Sequence, residues 1–406
     1  MRDFPAPLND PTAQDKVNPL DALSEKIEAL RNKHISPEYK ARLRQDLSSI
    51  AGQFKGAAKP AIEKLAKALP TLSDSGACWV SAKMLRDLAV TSGEGVDEAR
   101  HALTLFMHTA KDSDTRKMAA ALLADIGVSH GGDVAGHVVQ SIARTLLEEK
   151  DPRARHALRA DLLRIGLRTE PCAYLVVEAL GQAISVEQNP FDKIRIAHEL
   201  GQLGSAHHSL PLQITRVLGE ETKRSDQAAS ATAMVLRSIG LAEKKSTPTA
   251  VIHTLASAMA YAKDQGAVAN YSSALSDVGA QHPREAFETF CKLTQLPREG
   301  QRLCAYMGLR NISALEGYAD KAASHLGSLL AGESSAYNRR LLGKCLFDCA
   351  QNGADPKMIG AFLRNALVVE KDLDVTKELN QTLYRLGDFG KRGSVVVPLV
   401  RTEQKM

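Results

Sequence analysis

Ten times along this 406-residue chain a leucine stands four residues before a small side chain. The leucines are Leu47, Leu85, Leu123, Leu162, Leu200, Leu236, Leu275, Leu309, Leu346 and Leu383, and the small residues are Ala51, Ala89, Gly127, Gly166, Gly204, Gly240, Gly279, Ser313, Ala350 and Gly387. Neighbouring alignment points are 38, 38, 39, 38, 36, 39, 34, 37 and 37 residues apart. A period in this range marks a stack of helix pairs, none of which can bury its apolar face alone. The recurrence therefore predicts an all-α chain of about ten helical hairpins, each with a first helix A and a second helix B.

The position fifteen residues before each alignment point holds Ser36, Asp74, Asp112, Asp151, Asn189, Ser225, Asp264, Arg298, Ser335 and Asp372. All but Arg298 have a short side-chain oxygen that can accept from the free N–H groups of a helix start, so this column predicts the N-caps of the B helices. Pro37, Pro152 and Pro190 follow at the first helical position, where a missing N–H is harmless. The residue before each alignment point is Ile50, Leu88, Ile126, Ile165, Leu203, Ile239, Val278, Ile312, Cys349 or Leu386, which completes an i, i+3 apolar stripe with the leucine. Seven residues before the alignment point stand Ala82, Ala120, Ala197, Ala233, Ser272 and Gly343, small enough to let the A helix approach closely. A helices read over 134–149, 171–184 and 356–370, and Pro171, Pro248, Pro283 and Pro356 open several of them. Glycine at the end of B is expected to supply the left-handed turn into the next A.

The segments DSDTRKMAAALLADIG (112–127) and DPRARHALRADLLRIG (151–166) resemble the second helix of a HEAT repeat, with its acidic start, early basic residue, Ala/Leu stripe and closing Ile-Gly. The resemblance covers roughly residues 17–390 and implies a right-handed α-solenoid of HEAT-like hairpins with a period of about 37 residues. It is weakest in the eighth repeat, where Arg298 replaces the cap, Ser313 the glycine and the period falls to 34, which reads as a bend or distortion. Residues 1–16, rich in Pro, Asn and Asp, read as a flexible N-terminal tail, and 391–406 as a C-terminal tail whose SVVVPLV run is suited to pairing as a strand or capping the last repeat.

Function is less constrained. A net charge of +5 among 99 charged residues names neither nucleic acid nor membrane as a partner. No stretch approaches eighteen uninterrupted apolar residues, and the N-terminal MRDFPAPLNDPTAQDKVNPLD has no apolar core of a secretory signal. Cys78, Cys172, Cys291, Cys304, Cys345 and Cys349 form no disulfide framework or zinc spacing, and point to a reducing, cytoplasmic setting. Cys345 and Cys349 lie one turn apart but in apolar company, and read as small buried hydrophobes. His101 and His108, like His130 and His137, are seven residues apart, about 10.5 Å along a helix, too far to share a metal; His207 and His208 read as solvated loop surface. No catalytic motif appears. The expectation is therefore a non-enzymatic chain without cofactor or metal.

Two charged patterns compete for a binding role. Lys40, Arg116, Arg155, Lys193, Arg302 and Arg339 recur four residues into B; they suit a phosphate ladder or, as the HEAT resemblance implies, ion pairs with cap carboxylates such as Asp112 and Asp151. The second pattern is the B face opposite the core, 13, 9, 6 and 2 residues before the alignment point, which in HEAT-like arrays lines the concave surface. It carries Arg42, Lys83, Arg153, Arg164, Arg195, Lys344 and Arg385 against Glu38, Asp87, Asp114, Asp125, Asp277, Asp348, Asp374 and Glu378, one more negative than positive. A groove for a phosphate backbone should be strongly positive. Arg153, Arg164 and Arg195, with His198 beside them, form a basic cluster, and Met118, Ala121, Ala157, Ala160, Ala231, Met234, Cys304, Met307 and Leu341 supply an apolar floor unless neighbouring repeats bury it. The partner-binding residues expected from this pattern are Arg153, Arg164, Arg195, His198, Met118, Met234 and Met307, and the partner a protein or peptide, acidic and amphipathic in character. Two alternatives remain: a nucleic-acid enzyme resembling the HEAT-like DNA glycosylases, from which the chain departs in its length, its unbasic groove and its single Trp79; and a bacterial effector exported into a host cell, suggested by the Pro/Asn-rich start.

Overall fold

Eight of the recurrent leucines, from Leu85 to Leu346, have no solvent exposure at all in the computed structural model of the protein. The ninth described one, Leu383, is half-buried. The structure describes residues 18–31, 58–72, 74–242 and 247–391, with Glu38, Ala41, Arg42 and Gln45 placed singly. Ser36, Lys40, Leu47 and Ala51 of the first repeat, both predicted tails apart from Lys391, and the SVVVPLV run lie outside the described residues.

Among the described residues there are nineteen α-helices and no strand. The chain falls into two compact units, Met1–Ala179 and Leu180–Met406. The first contains α1 (Pro19–Arg31), α2 (Ala58–Ala68), α3 (Ser75–Ser92), α4 (Val96–Thr109), α5 (Ser113–His130), α6 (Gly132–Glu148) and α7 (Pro152–Arg168); the division falls within α8 (Glu170–Val186). The second contains α9 (Pro190–Ala206), α10 (Pro211–Arg224), α11 (Ala229–Ala242), α12 (Thr247–Tyr261), α13 (Gln265–Gly279), α14 (Pro283–Leu293), α15 (Glu299–Ser313), α16 (Ala319–Leu330), α17 (Ala336–Gln351), α18 (Pro356–Val369) and α19 (Leu373–Lys391). Each unit has two layers. In the first, the B helices α3, α5 and α7 pack side by side, and the A helices α2, α4 and α6 do the same behind them. In the second, α9, α11, α13, α15, α17 and α19 form an unbroken B row, backed by α10, α12 and α14 and by α16 and α18. The fold is an all-α, HEAT-like series of hairpins, as the leucine period requires.

The caps form where the sequence places them. Asp74, Asp112, Asp151, Asn189, Asp264 and Ser335 each accept from a backbone N–H in the first turn of their helix, and Asp372 accepts from Asp374 and Val375. In the eighth repeat Arg298 has no capping oxygen; its Nη1 donates instead to the Ala262 carbonyl at 2.8 Å. The short period there reflects α14, which has only 11 residues.

The aligned glycines do a different job from the one expected. They are not the left-handed turn: α5 runs on to His130, and φ is positive at Gly131 (63°), as it is at Gly93 (71°) after Ser92. Gly240 and Gly279 are instead places of close approach. A Cβ on Gly279 would sit 2.5 Å from the Ala286 Cβ of α14, and one on Gly240 would sit 2.7 Å from Val278 of α13. The earlier small column is also reassigned in part. A Cβ side chain at Gly343 would meet Leu379 of α19 at 2.7 Å, and the Ser272 hydroxyl donates to the Cys304 carbonyl of α15. These positions admit the next B helix, not the A helix.

Candidate protein-interaction face

Arg116, Lys193, Arg302 and Arg339 of the basic column form internal clasps, and the carboxylates they hold are glutamates and not the cap aspartates. Arg116 donates from Nε and Nη2 to Glu149, just beyond α6, at 2.7 and 3.1 Å, and from Nη1 to the Ala110 carbonyl of its own loop. Arg302 grips Glu333 in the same way, and Arg339 grips Glu370. Lys193 reaches Glu221 at 2.5 Å, both side chains being buried. Each of the three arginine-held glutamates also accepts from backbone N–H groups at the start of the next B helix: Glu149 from Lys150 and Asp151, Glu333 from Ser335, Glu370 from Lys371 and Asp372. One carboxylate thus closes an ion pair and caps a loop. Burial opposes its charge, yet the hydrogen bonds from arginine and backbone prevail and hold Glu149 and Glu333 at about 2. The Tyr306 hydroxyl donates to Glu333, and burial together with that carboxylate pushes the phenol well above its usual range. A guanidinium already satisfied by a carboxylate and carbonyls has little left for a phosphate, so these arginines belong to the scaffold.

The B face is also more self-paired than its composition suggests. Arg86 of α3 meets Asp125 of α5 at 3.0 Å, Arg237 of α11 meets Asp277 of α13 at 2.7 Å, and Arg310 of α15 meets Asp348 of α17 at 2.9 Å. In each rung the arginine stands three residues before its alignment point and the aspartate two before the next. Sequence reasoning missed these arginines because they lie one position outside the stripe; the repeated Arg-then-Asp offset in neighbouring repeats was the available signal.

The expected partner-binding residues divide by environment. In the first unit, Arg164 is committed to Asp125 at 2.5 Å, to Asp161 at 3.0 Å and to the Ala121 carbonyl. Burial raises Asp161 to about 6 despite that guanidinium. Arg153, on the first turn of α7, is exposed, and Met118 on α5 is half-buried. In the second unit, Arg195 is 61 % exposed with Asp192 only at 3.7 Å, and His198 one turn on is half-buried. Met234 of α11 is 47 % exposed. Of the expected floor, Ala231 and Cys304 are buried in the packing, whereas Ala121, Ala157, Ala160 and Leu341 retain exposure. Cys345 and Cys349 are fully buried, and burial pushes their thiols up to about 12 and 11.

Met307 is the expected residue that borders a defined cavity. This cavity, of 240 Å³, lies across α15, α17 and α19. Its apolar wall is Met307, Leu341, Cys345 and Phe347, and its polar rim is Arg310, Lys344, Asp348 and Arg385. Arg385 stacks on the Phe347 ring at 3.9 Å, and Lys344 has Glu378 at 3.9 Å. Among the described residues no group of three or more His, Cys, Asp or Glu gathers to hold a metal, and no helix is long and apolar enough to cross a membrane.

No protein-family model matches the chain, and no curated protein matches it in sequence. Solved structures are similar to it over most of its length. One is an engineered protein, 17 % identical, covering 80 % of this chain and 96 % of its own, with a TM-score of 0.24. A second comes from work on the phosphorylation-controlled interaction between cadherin and beta-catenin, 13 % identical, covering 93 % and 88 %, with a TM-score of 0.35. A third comes from work on tubulin recruitment by the TOG domain arrays of microtubule polymerases, 10 % identical, covering 90 % and 97 %, with a TM-score of 0.38. The resemblance of this chain to HEAT-like hairpin repeats rests on its own helices, caps and buried leucines.

Proposed function

We propose that this chain is a non-catalytic interaction protein that takes a protein or peptide segment on the face of its B helices. The observation that carries the reading is the chemistry left over once internal pairing is subtracted. Arg–Asp rungs neutralise part of the face, and between them Met234, Met307 and Leu341 keep apolar surface accessible beside exposed cations such as Arg195, whose ion pair with Asp192 is long at 3.7 Å. Flexible methionines beside sparse charge suit a polypeptide ligand. A run of phosphates requires many uncompensated cations, and the clasps and rungs have absorbed Arg86, Arg116, Lys193, Arg237, Arg302, Arg310 and Arg339. Met118, Arg153 and Arg164 in the first unit, and Arg195, His198, Met234 and Met307 in the second, are the proposed contact residues. An acidic, amphipathic partner best matches them. Six free cysteines suit a reducing compartment such as the cytoplasm.

The test is affinity capture from the native host with mass spectrometry, run on the wild type and on surface variants. Arg195→Glu with Met234→Glu reports on the second unit and Arg153→Glu on the first. Arg164→Glu is unsuitable because it would break the bonds to Asp125 and Asp161. Arg284→Glu, on an exposed A-helix side chain, is the control. The proposal expects the B-face variants to lose a partner that the control retains, with melting unchanged. Equal recovery by all variants would overturn it.

A further inference from the structure

We propose that the cavity between α15, α17 and α19 is a specific seat for an acidic–apolar peptide motif, with Arg385 receiving a carboxylate; this deepens the interaction reading above and depends on it. The step from α17 to α19 differs from the three steps between B helices that carry an Arg–Asp rung. At three steps an arginine three residues before the alignment point pairs with an aspartate two before the next one. At the step from α17 to α19 the same two positions hold Phe347 and Arg385. The arginine has become an aromatic ring and the aspartate a guanidinium, so this step contains a cation where those three contain a closed pair.

Arg385 is exposed, its described partner is the Phe347 ring at 3.9 Å, and among the described residues no carboxylate pairs with it. Phe347 is only 7 % exposed, so the ring is a fixed platform that holds the guanidinium plane at the cavity mouth. The other charges on the rim leave that excess in place. Asp348 is engaged by Arg310 at 2.9 Å, and Lys344, 58 % exposed, has Glu378 no nearer than 3.9 Å. The floor is Met307, Leu341 and Cys345, and the volume of 240 Å³ is on the scale of one or two side chains. A guanidinium stacked on an aromatic ring keeps its N–H fork free for a planar, bidentate acceptor. Such a site takes a glutamate or aspartate whose neighbour on the same peptide is Leu, Met or Phe.

The experiment uses the full chain and two fluorescein-labelled twelve-residue peptides, one with alternating Glu and Leu/Phe and one with every Glu replaced by Gln. Binding is read by fluorescence polarisation at low and at physiological salt. The proposal expects the Glu peptide to bind at least tenfold more tightly than the Gln peptide. Arg385→Glu should abolish that preference, Arg385→Lys should keep part of it, and Lys344→Glu should reduce it, with melting temperature and helicity within error of wild type. Equal binding of the two peptides, or a preference that survives Arg385→Glu, would overturn the proposal. The same Arg385→Glu variant then enters the host capture experiment. A partner kept by Arg385→Glu but lost with Arg195→Glu and Met234→Glu refutes this seat and leaves the wider reading standing; a partner insensitive to every B-face variant refutes the wider reading.

Discussion

At the scale of single residues, the aligned column shows one amino acid serving opposite ends. Inside an α-helix glycine is about 1 kcal/mol less favourable than alanine, so an exposed helical glycine is normally improved by substitution. Gly279 should reverse that rule. A Cβ there would lie 2.5 Å from the Ala286 Cβ, an atom fixed to backbone that has no rotamer to escape into. Gly387 occupies the equivalent place in α19, is exposed, and has no described heavy atom within 4 Å of a built Cβ. The expected outcome is that Gly279→Ala lowers the melting temperature by several degrees, whereas Gly387→Ala leaves it unchanged or raises it. Thermal melts of the two variants decide the matter, and a stabilised Gly279→Ala would show that α13 and α14 can part without cost.

Hairpin elements are joined by the Arg–Glu clasps, and here the structure says more than the sequence does. The caps and the buried leucine stripe were legible because they depend on spacings of three or four residues within one helix, as Asp112 with Thr115 and Leu123 with Ile126 show. The clasp was legible only as half a pair. Arg116 stood out, but its partner Glu149 lies 33 residues on, at the end of the following A helix, and that offset matches no helical period. Arg195 and Met307 were visible as a charge and a methionine on a face; the reversal at Phe347 and Arg385 was not, because stacking needs the neighbouring helix in place. The clasps also set a pH dependence. Glu149 and Glu333 have folded values of about 2 against an ordinary 4.5, so the folded chain binds fewer protons than the unfolded chain between those limits. Their stabilisation is complete above the unfolded value and is lost as pH falls through the folded one. Melting temperature should therefore drop steeply between about pH 4.5 and 2, and Glu149→Gln with Glu333→Gln should have a lower melting temperature at pH 7 and a shallower acid slope. An acid slope equal to wild type would remove the clasps from the account.

For the whole molecule, the architecture predicts how damage spreads. In a series of hairpins each element is stabilised by its neighbours alone, so stability is close to a sum of local and nearest-neighbour contributions. Leu123 and Leu275 hold equivalent, fully buried places in different units. Truncating a buried leucine to alanine costs on the order of 2–5 kcal/mol through lost transfer energy and the cavity left behind. In a globular domain with one core that loss would raise exchange everywhere. Here Leu123→Ala should raise amide hydrogen exchange chiefly in α3 to α7, α5 itself and the helices that pack on or beside it, and leave α11 to α15 near wild type. Leu275→Ala should produce the converse pattern around α13. Hydrogen-exchange mass spectrometry of the two variants under native conditions separates the cases. Uniform acceleration along the chain in both would mean that it unfolds as one cooperative body, and a binding face assembled from successive B helices would then respond to ligand as a whole, without the hairpin-by-hairpin stiffening that local coupling requires.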